Sequence, residues 1–319
     1  MKLPEKPHAF HAERDHALTA TALVAWLLLV GSPKVQAEET TAAFLKIPVG
    51  ARSASMGGAT LALSQDAAAA FSNPAGLSGL PRQFSATDAR LFADTRYDTF
   101  AFAQPVGWGG TPGSLGASVG YLSQDKIEAR GADRSRQVRF SASDMVAGVS
   151  YARSPWHGAR LGGTVKLVKS EIADVRATGW AADIGGLFST GVEDLTLGLS
   201  ARNLGPGMTF LEERSKLPTS LSAGLAYQAG PLTLVGDVTR QLTEERTVVG
   251  AGMEVPVLSA VTIRAGYSKT SAALVSSGIA GTGLGAGFGV RILGTQVDYS
   301  FTPMGELGNA QRISLSARF

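Results

Sequence analysis

Apolar and polar residues alternate with a period of two over most of the chain from residue 84 to the C-terminus. The closing segment RISLSARF shows the pattern, with Ile, Leu, Ala and Phe on one parity and Arg and Ser on the other. Because successive side chains of a β-strand point to opposite faces, each such segment is expected to be a strand with one apolar and one polar face. The segments are about ten residues long, which is the length that a tilted strand needs to cross a bilayer.

Turn residues separate these alternating segments and allow fourteen strands to be counted. The predicted strands lie near residues 84–92, 97–105, 114–123, 145–153, 160–169, 178–188, 195–203, 219–228, 232–241, 247–255, 260–269, 283–293, 295–303 and 311–319.

The connections between the predicted strands are alternately short and long. The short ones include SPWHGA, TGVEDL, AGP and a single Gly294, whereas the long ones cover 124–144, 204–218 and 270–282. Transmembrane barrels have short periplasmic turns and longer extracellular loops, and a soluble sandwich gives no reason for this alternation. The sequence therefore favours an all-β fold, a transmembrane antiparallel β-barrel of about 14 strands, over a soluble all-β domain.

The N-terminus has the plan of a secretory signal peptide. An uncharged apolar run at 17–31 follows a polar stretch and precedes the small residues Val35 and Ala37. The run is shorter than the roughly 20 residues that a membrane-spanning helix needs. We expect residues 1–37 to be cleaved after Ala37 and the protein to be exported to the bacterial outer membrane, with an uncleaved anchor as the alternative. Lipid and the barrel-assembly machinery are then its expected partners.

Composition argues against several classes of function. The formal net charge is +3, and Lys and Arg do not cluster, so we expect no nucleic-acid partner. There is no cysteine, and His157 is the one histidine beyond residue 37, so we expect neither a metal site nor a cofactor. His157 falls in a predicted short turn, where a solvated side chain is the ordinary interpretation, and we expect no enzymatic activity.

Residues 38–83 do not alternate. Asp66 is a candidate N-cap for a short helix over the alanines that follow, and Asn73-Pro74 is expected to end it. The segment precedes the predicted barrel at 84–319, either as a tail or as a plug in the lumen.

The stretch FLKIPVGARSASMGGATLALSQDAAAAFSNPAGLSGL resembles the opening of the PorV/PorQ family of outer-membrane proteins, and its Asn-Pro-Ala-Gly segment resembles one in the fatty-acid transporter FadL. GVSYARSP, SARNLGPGMTF and FTPMGELGNAQRISLSARF are similar to the same family. The resemblance implies a FadL-like fold whose residues 38–83 form a hatch in the lumen. The hatch motif comprises Met56, Gly57, Gly58, Asp66, Asn73, Pro74, Ala75 and Gly76.

Two functions follow from the resemblance. FadL relatives pass hydrophobic molecules with the help of the hatch, which implies transport of a hydrophobic ligand. PorV-like members act in or beside type IX secretion, which implies a non-conducting surface protein that receives or anchors secreted proteins.

Charged residues lie on the polar parity of the predicted strands and are expected to face the lumen. They are Lys166, Asp183, Arg202, Asp237, Arg264, Arg291, Asp298, Arg312 and Arg318. They either hold the plug, with Arg52 and Asp66 as partners, or select a substrate. Phe319 is expected at the lipid interface as a C-terminal assembly signal. The glycines at 283, 285, 287 and 289 leave room on the inner face for the hatch, for a ligand, or for close packing.

Overall fold

The computed structural model describes residues 40–63, 66–108, 111–130, 136–271 and 283–319. The expected signal peptide at 1–37, with its cleavage after Ala37, lies outside the described residues. So does most of the apolar 270–282 connection. The sequence predicts that this loop either captures a hydrophobic ligand or protein partner or packs over the barrel mouth.

Nearly all of the described chain is antiparallel sheet. The strands are β1 (Gln83–Arg90), β2 (Thr95–Trp108), β3 (Thr111–Arg130), β4 (Arg136–Trp156), β5 (Ala159–Ile172), β6 (Val175–Ser189), β7 (Leu195–Leu204), β8 (Met208–Phe210), β9 (Glu213–Ser215), β10 (Ser220–Ala229), β11 (Leu232–Gln241), β12 (Arg246–Pro256), β13 (Val261–Ser271), β14 (Gly283–Ile292), β15 (Thr295–Pro303) and β16 (Asn309–Arg318). Strands β8 and β9 form a small separate sheet, and the other fourteen close into one barrel in which β1 pairs with β16. The predicted fold, a closed antiparallel barrel of fourteen strands, is confirmed.

Helical structure is short and mostly precedes the barrel. Helix α1 spans Ala51–Ser55, and 3-10 turns span Ala43–Lys46, Ala67–Phe71, Pro74–Leu77 and Gly305–Leu307. The Asp66 carboxylate accepts a hydrogen bond from the Ala68 N–H, which is the N-cap that the sequence predicts. Within the described ranges, no helix has the length and apolar character needed to span a membrane.

The two ends of the barrel differ. At one end, here the turn end, the strands are joined through 109–110, 157–158, 190–194, 230–231, 257–260 and 293–294. At the other, the loop end, the connections are 91–94, 131–135, 173–174, 205–219, 242–245, 272–282 and 304–308. Five of the seven loop-end connections are no longer than the longest connection at the turn end, and only 205–219 and 272–282 exceed it, so the predicted alternation of short and long holds only in part.

The predicted loop at 124–144 is wrong over most of its length. Strand β3 continues to Arg130 and β4 begins at Arg136, and the two remain paired beyond a register shift between Gln124 and Ile127. Strand β5 stops pairing with β4 at Ala142, so the tip of the β3–β4 hairpin extends beyond its neighbours. Main-chain pairing needs no apolar face, so a charged sequence can continue as a two-stranded ribbon here.

The outer face of the barrel is an uncharged, largely apolar band. Exposed apolar side chains on this parity include Phe100, Val119, Val165, Leu225 and Ile313. Among the described outward-facing positions, charged residues occur only towards the strand ends; examples are Asp98, Lys169, Arg240 and Lys269 at the loop end and Arg153 at the turn end.

Aromatic rings cover the seam where the first and last strands meet. The ring of Phe319 lies 6.3 Å from that of Phe84 and 6.4 Å from that of Phe102, measured between centroids. The Phe319 N–H also donates to the Arg82 carbonyl at 3.0 Å. The last residue therefore extends the β1–β16 contact beyond the end of the ladder.

We expect Phe319→Ala to weaken closure by about 1–3 kcal/mol, because two aromatic pairs of roughly 0.5–1.5 kcal/mol each are lost. The measurement is the fraction of folded, fast-migrating barrel on unheated detergent gels after incubation at rising temperature. Phe288→Ala is the control, since that ring pairs with Tyr299 away from the seam. An equal or smaller effect of Phe319→Ala contradicts a role in closure.

Candidate functional site

Residues 40–82, here the N-terminal segment, run through the inside of the barrel. The segment begins at the loop end, where the Thr41 N–H donates to the Lys216 carbonyl at 3.1 Å. Further along, the Ala51 N–H donates to Ser314 Oγ on the inner wall at 2.7 Å. The segment then continues to the turn end and leads directly into β1 at Gln83. The lumen is therefore occupied by the residues that carry the predicted hatch motif.

Glycines of the wall allow the main chain of the segment to approach the strands closely. Gly252, Gly266 and Gly285 stand side by side on β12, β13 and β14. A Cβ on Gly252 would come within 2.6 Å of Met56 Cβ, and one on Gly285 within 2.5 Å of the Ala54 carbonyl oxygen. A Cβ on Gly266 would overlap the main chain at Met56. Only glycine fits at this wall while the segment is in place.

The Asn-Pro-Ala-Gly part of the motif is fixed against the opposite wall. Asn73 Nδ2 donates to the Leu61 and Gly186 carbonyls, both at 3.1 Å, and Asn73 Oδ1 accepts from the Ala75 N–H at 3.2 Å. Asn73 is fully buried, so these bonds satisfy an amide that would otherwise be costly to bury. A Cβ on Gly162 of β5 would lie 2.5 Å from the Pro74 carbonyl carbon. The motif thus acts structurally, as a bridge between segment and wall.

A chain of ion pairs joins helix α1 to the wall. Arg52 binds both oxygens of Glu254, each at 2.8 Å. Arg264 donates to Glu254 at 2.5 Å and to Asp298 at 2.6 Å. Of the residues predicted to face inward, Arg264 and Asp298 are thus brought together with Arg52. Glu254 was missed, although its parity with the inward Gly252 indicated it. Asp66 caps its own short helical turn, because its carboxylate accepts from the Ala68 N–H.

A second polar cluster surrounds a bulge in β7. Lys166 pairs with Asp183 at 2.8 Å and donates to Asn203 Oδ1 at 2.5 Å, while the Asn203 N–H donates to Asp183 at 2.7 Å. Asn203 has a left-handed backbone, with φ of 58°, where the β6–β7 register shifts. Its side chain also donates to the Pro218 carbonyl at 3.0 Å. Asn203 therefore fixes the 205–219 connection to the wall, and alternation in the sequence gave no signal for it.

The remaining predicted charges occupy different depths. Asp237 accepts from the Leu61 N–H at 2.9 Å, and Arg202 donates to the Phe71 carbonyl at 3.4 Å, so both contact the N-terminal segment. Arg312 is buried. Arg291 and Arg318 share the inward parity but are exposed, because they lie at the turn-end limits of β14 and β16.

A cavity of about 590 Å³ lies between the N-terminal segment and the wall. The segment contributes apolar side chains, which include Leu45, Ile47 and Phe71. The wall contributes polar ones, which include Arg202 and Asp237. A smaller cavity of about 40 Å³ is polar, with Arg52, Asp66, Asp298 and Ser314 in its lining. Both cavities are bounded by Val49, Ser53, Thr60, Ala68 and Ser72, so mostly small residues of the segment separate them.

Glu244, in the turn after β11, fixes the start of the segment at the loop end. Its carboxylate accepts from Thr40 Oγ1 and from Lys46 Nζ, each at 2.5 Å. Burial alone raises the pKa of Glu244, but the bonds from Lys46 and Thr40 outweigh burial and hold the pKa below its usual value of 4.5.

No metal-binding group of His, Cys, Asp and Glu occurs among the residues that the structure describes. His157 is exposed in the tight turn between β4 and β5.

Several solved structures with a similar barrel are hydrocarbon channels or transporters. A TodX monoaromatic hydrocarbon channel lacking S2 and S3 superposes with a TM-score of 0.64 at 16% identity, covering 85% of this chain and 99% of that one. The Ralstonia pickettii toluene transporter TbuX gives 0.60 at 16%, covering 85% and 98%. A Pseudomonas aeruginosa FadL homologue gives 0.57 at 11%, covering 84% and 97%. The barrel has a FadL-like fold. No protein-family model and no curated protein matches the sequence.

We expect Gly266→Ala to loosen the N-terminal segment, because the new methyl group would overlap the Met56 main chain. Overpacking of this kind costs about 1–3 kcal/mol. The measurement is hydrogen exchange of residues 51–58, which should become faster. Gly236→Ala is the matched control, since its nearest atom, the Gly250 carbonyl oxygen, would be 3.9 Å away. Unchanged exchange in Gly266→Ala contradicts a tight contact.

We expect the start of the segment to loosen in acid. Because folding lowers the pKa of Glu244, its contribution is complete above pH 4.5 and is lost as the pH falls through the lower folded value. The measurement is the exchange protection of residues 41–46 between pH 3 and 7. Glu244→Gln should abolish the step, and Glu245→Gln, an exposed neighbour, should retain it. A step that survives Glu244→Gln assigns the effect to another group.

Proposed function

We propose that this protein is an outer-membrane channel for apolar or amphipathic small molecules, with the N-terminal segment as its hatch. The observation that carries the proposal is the cavity of about 590 Å³ between that segment and the wall. Its size suits a small organic ligand.

The distribution of side chains supports a membrane location. An uncharged, largely apolar outer band combined with a polar interior is the inverse of a soluble protein, and a charge on a lipid-facing strand costs about 2–4 kcal/mol at the midplane. Closure supports it as well, because an open sheet edge is not tolerated in hydrocarbon. The expected signal peptide at 1–37 provides the route of export.

The ligand that fits best has one apolar and one polar part. Leu45, Ile47 and Phe71 offer an apolar surface, whereas Arg202 and Asp237 lie across the same cavity. TodX and TbuX are named for monoaromatic hydrocarbons and toluene, so apolar solutes are the first to test.

Passage requires the N-terminal segment to move. Mostly small residues of the segment separate the two cavities, and the Arg52–Glu254 pair and the wall glycines hold it in place. The ion pairs adjoin the smaller, polar cavity, and through Arg52 they hold α1 rather than the rest of the segment. We therefore assign α1 as the part of the hatch that must be displaced.

The second candidate is a non-conducting PorV/PorQ-type protein that receives or anchors secreted proteins beside a type IX apparatus. Two observations favour it: the segment is bound to the wall along its length, and the β3–β4 hairpin extends past its neighbours, where a protein partner would meet it.

Uptake of labelled toluene and dodecanoate into proteoliposomes tests transport. Because the chain has no cysteine, Ala51→Cys with Ser314→Cys can pin α1 to β16, where Ala51 N and Ser314 Oγ lie 2.7 Å apart. We expect uptake above empty vesicles, loss of most of it in the oxidised double variant, and recovery on reduction. Each single cysteine variant is the control. Uptake equal to that of empty vesicles contradicts the channel, and uptake unaffected by the disulfide contradicts the hatch.

The same preparation addresses the second candidate. Retention of secreted proteins on the purified barrel, together with an absence of uptake, would favour the surface role. Deletion of residues 125–140 should then abolish retention while the barrel still folds.

A further inference from the structure

Several cations at the loop-end edge of the outer face have a carboxylate beside them. Arg96 of β2 lies between two carboxylates, at 2.7 and 2.9 Å. Lys169 of β5 and Arg176 of β6 share a third carboxylate, at 3.8 and 2.9 Å. Arg240 of β11 and Lys269 of β13 have the same outward parity, yet neither forms an ion pair within the described ranges.

The chain around these two cations supplies no paired carboxylate. The sequence has no Asp or Glu from residue 255 to residue 297, so β13, β14 and the connection between them contain none. Glu244, in the turn after β11, is bound to the start of the N-terminal segment. Its neighbour Glu245 offers Arg240 a main-chain carbonyl, at 2.8 Å. The positive charge of the two side chains is therefore available to a partner outside the barrel.

The two cations flank the same stretch of β12. Arg240 is opposite Thr247, and Lys269 is opposite Val249. Because neighbouring strands are about 4.8 Å apart, roughly 10 Å separates β11 from β13 across the sheet. Arg240 Nη1 donates to Thr247 Oγ1 at 3.2 Å, which directs the guanidinium over β12 and towards the Lys269 side. Both charges therefore border one patch of the outer surface.

An apolar surface continues from this patch towards the turn end. Tyr267 is the next outward residue after Lys269 on β13, and Leu284 is opposite Tyr267 on β14. These two side chains are 46% and 68% exposed. The order along the barrel axis is thus cationic edge first and apolar wall second. A lipid presents its groups in the same order, with a polar headgroup above its acyl chains.

We propose that Arg240 and Lys269 bind the phosphate of an outer-leaflet lipid whose acyl chains lie along Tyr267 and Leu284. Arginine and lysine bind phosphate through charge-assisted hydrogen bonds, and basic residues beside a bilayer attract anionic lipids. The two cations have no competing ion pair within the described part of the chain, so this edge of the barrel suits a phosphorylated headgroup better than the edges at Arg96 and Arg176 do.

The position of the patch selects the outer leaflet. Transmembrane barrels have short periplasmic turns and longer extracellular connections. The two longest connections here, 205–219 and 272–282, are both at the loop end, where the cations lie. The proposal rests on the outer-membrane location given under the proposed function, but it does not depend on passage through the lumen.

Native mass spectrometry of the folded barrel in a non-ionic detergent tests this surface. The probe is lipid A with both phosphates, and the matched probe is the same lipid after enzymatic removal of both. We expect saturable binding of the phosphorylated lipid. The dephosphorylated lipid should bind about 20-fold more weakly, because two basic residues near a membrane surface contribute about five-fold each. This comparison uses the unsubstituted protein and needs no variant to fold.

Arg240→Gln and Lys269→Gln locate the binding. Each should weaken the affinity for phosphorylated lipid A about five-fold. Arg153→Gln is the matched control, because it removes the same charge from an exposed position on the outer face at the turn end. This control should bind the lipid as the parent does.

Three results overturn the proposal. They are equal binding of the two lipids, an equal loss in Arg153→Gln, and displacement of the lipid by equimolar inorganic phosphate. The last would show a site for the free anion in which the apolar wall has no part. Uptake into proteoliposomes is measured separately, so a barrel that transports solutes but does not distinguish the two lipids contradicts this proposal alone.

Discussion

Pairing of β1 with β16 closes the sheet, and every feature of the interior depends on that closure. An antiparallel sheet that ends in free edges exposes main-chain donors and acceptors, whereas a ring pairs all of them. Closure also creates an enclosed wall, against which polar side chains find partners from several directions. The carboxylate of Glu254 shows the result, since it accepts from Arg264 of the next strand and from Arg52 of the enclosed segment.

Within this ring, close packing and hydrogen bonds hold the N-terminal segment in place as much as ion pairs do. Wall glycines let its main chain lie directly on the strands, and the main chain of Leu61 bonds both Asn73 and Asp237. Short helical turns leave many peptide groups unpaired, so a non-strand segment in a lumen needs such side-chain partners. The cavity remains where the segment and the wall do not meet, which explains its mixed lining.

The sequence allowed the strands and their facing to be predicted because alternation is a local property. Alternation did not predict how far along the barrel axis a residue lies. Arg291 and Arg318 have the inward parity, but they are exposed because they lie at the ends of their strands. The 124–144 segment looked like a loop because its sequence is charged and lacks the apolar alternation of the other strands. Asn203 and Glu254 were missed, since their roles depend on a bulge in β7 and on a partner from far along the chain. The family resemblance of the stretch ahead of the barrel indicated that these residues lie in the lumen, but not that wall glycines allow their main chain to approach the strands.

The path of the N-terminal segment has a consequence for biogenesis. The N-terminal segment runs from the loop end, where Thr41 bonds Lys216, through the lumen to the turn end, where it continues as β1. A ring completed beforehand would leave these residues to thread through an already narrow opening. Laying them on an open, curved sheet before the last strand arrives avoids threading. Ser314 of that last strand bonds both Thr87 and the Ala51 amide, so joining the ends of the sheet and enclosing its contents amount to one event.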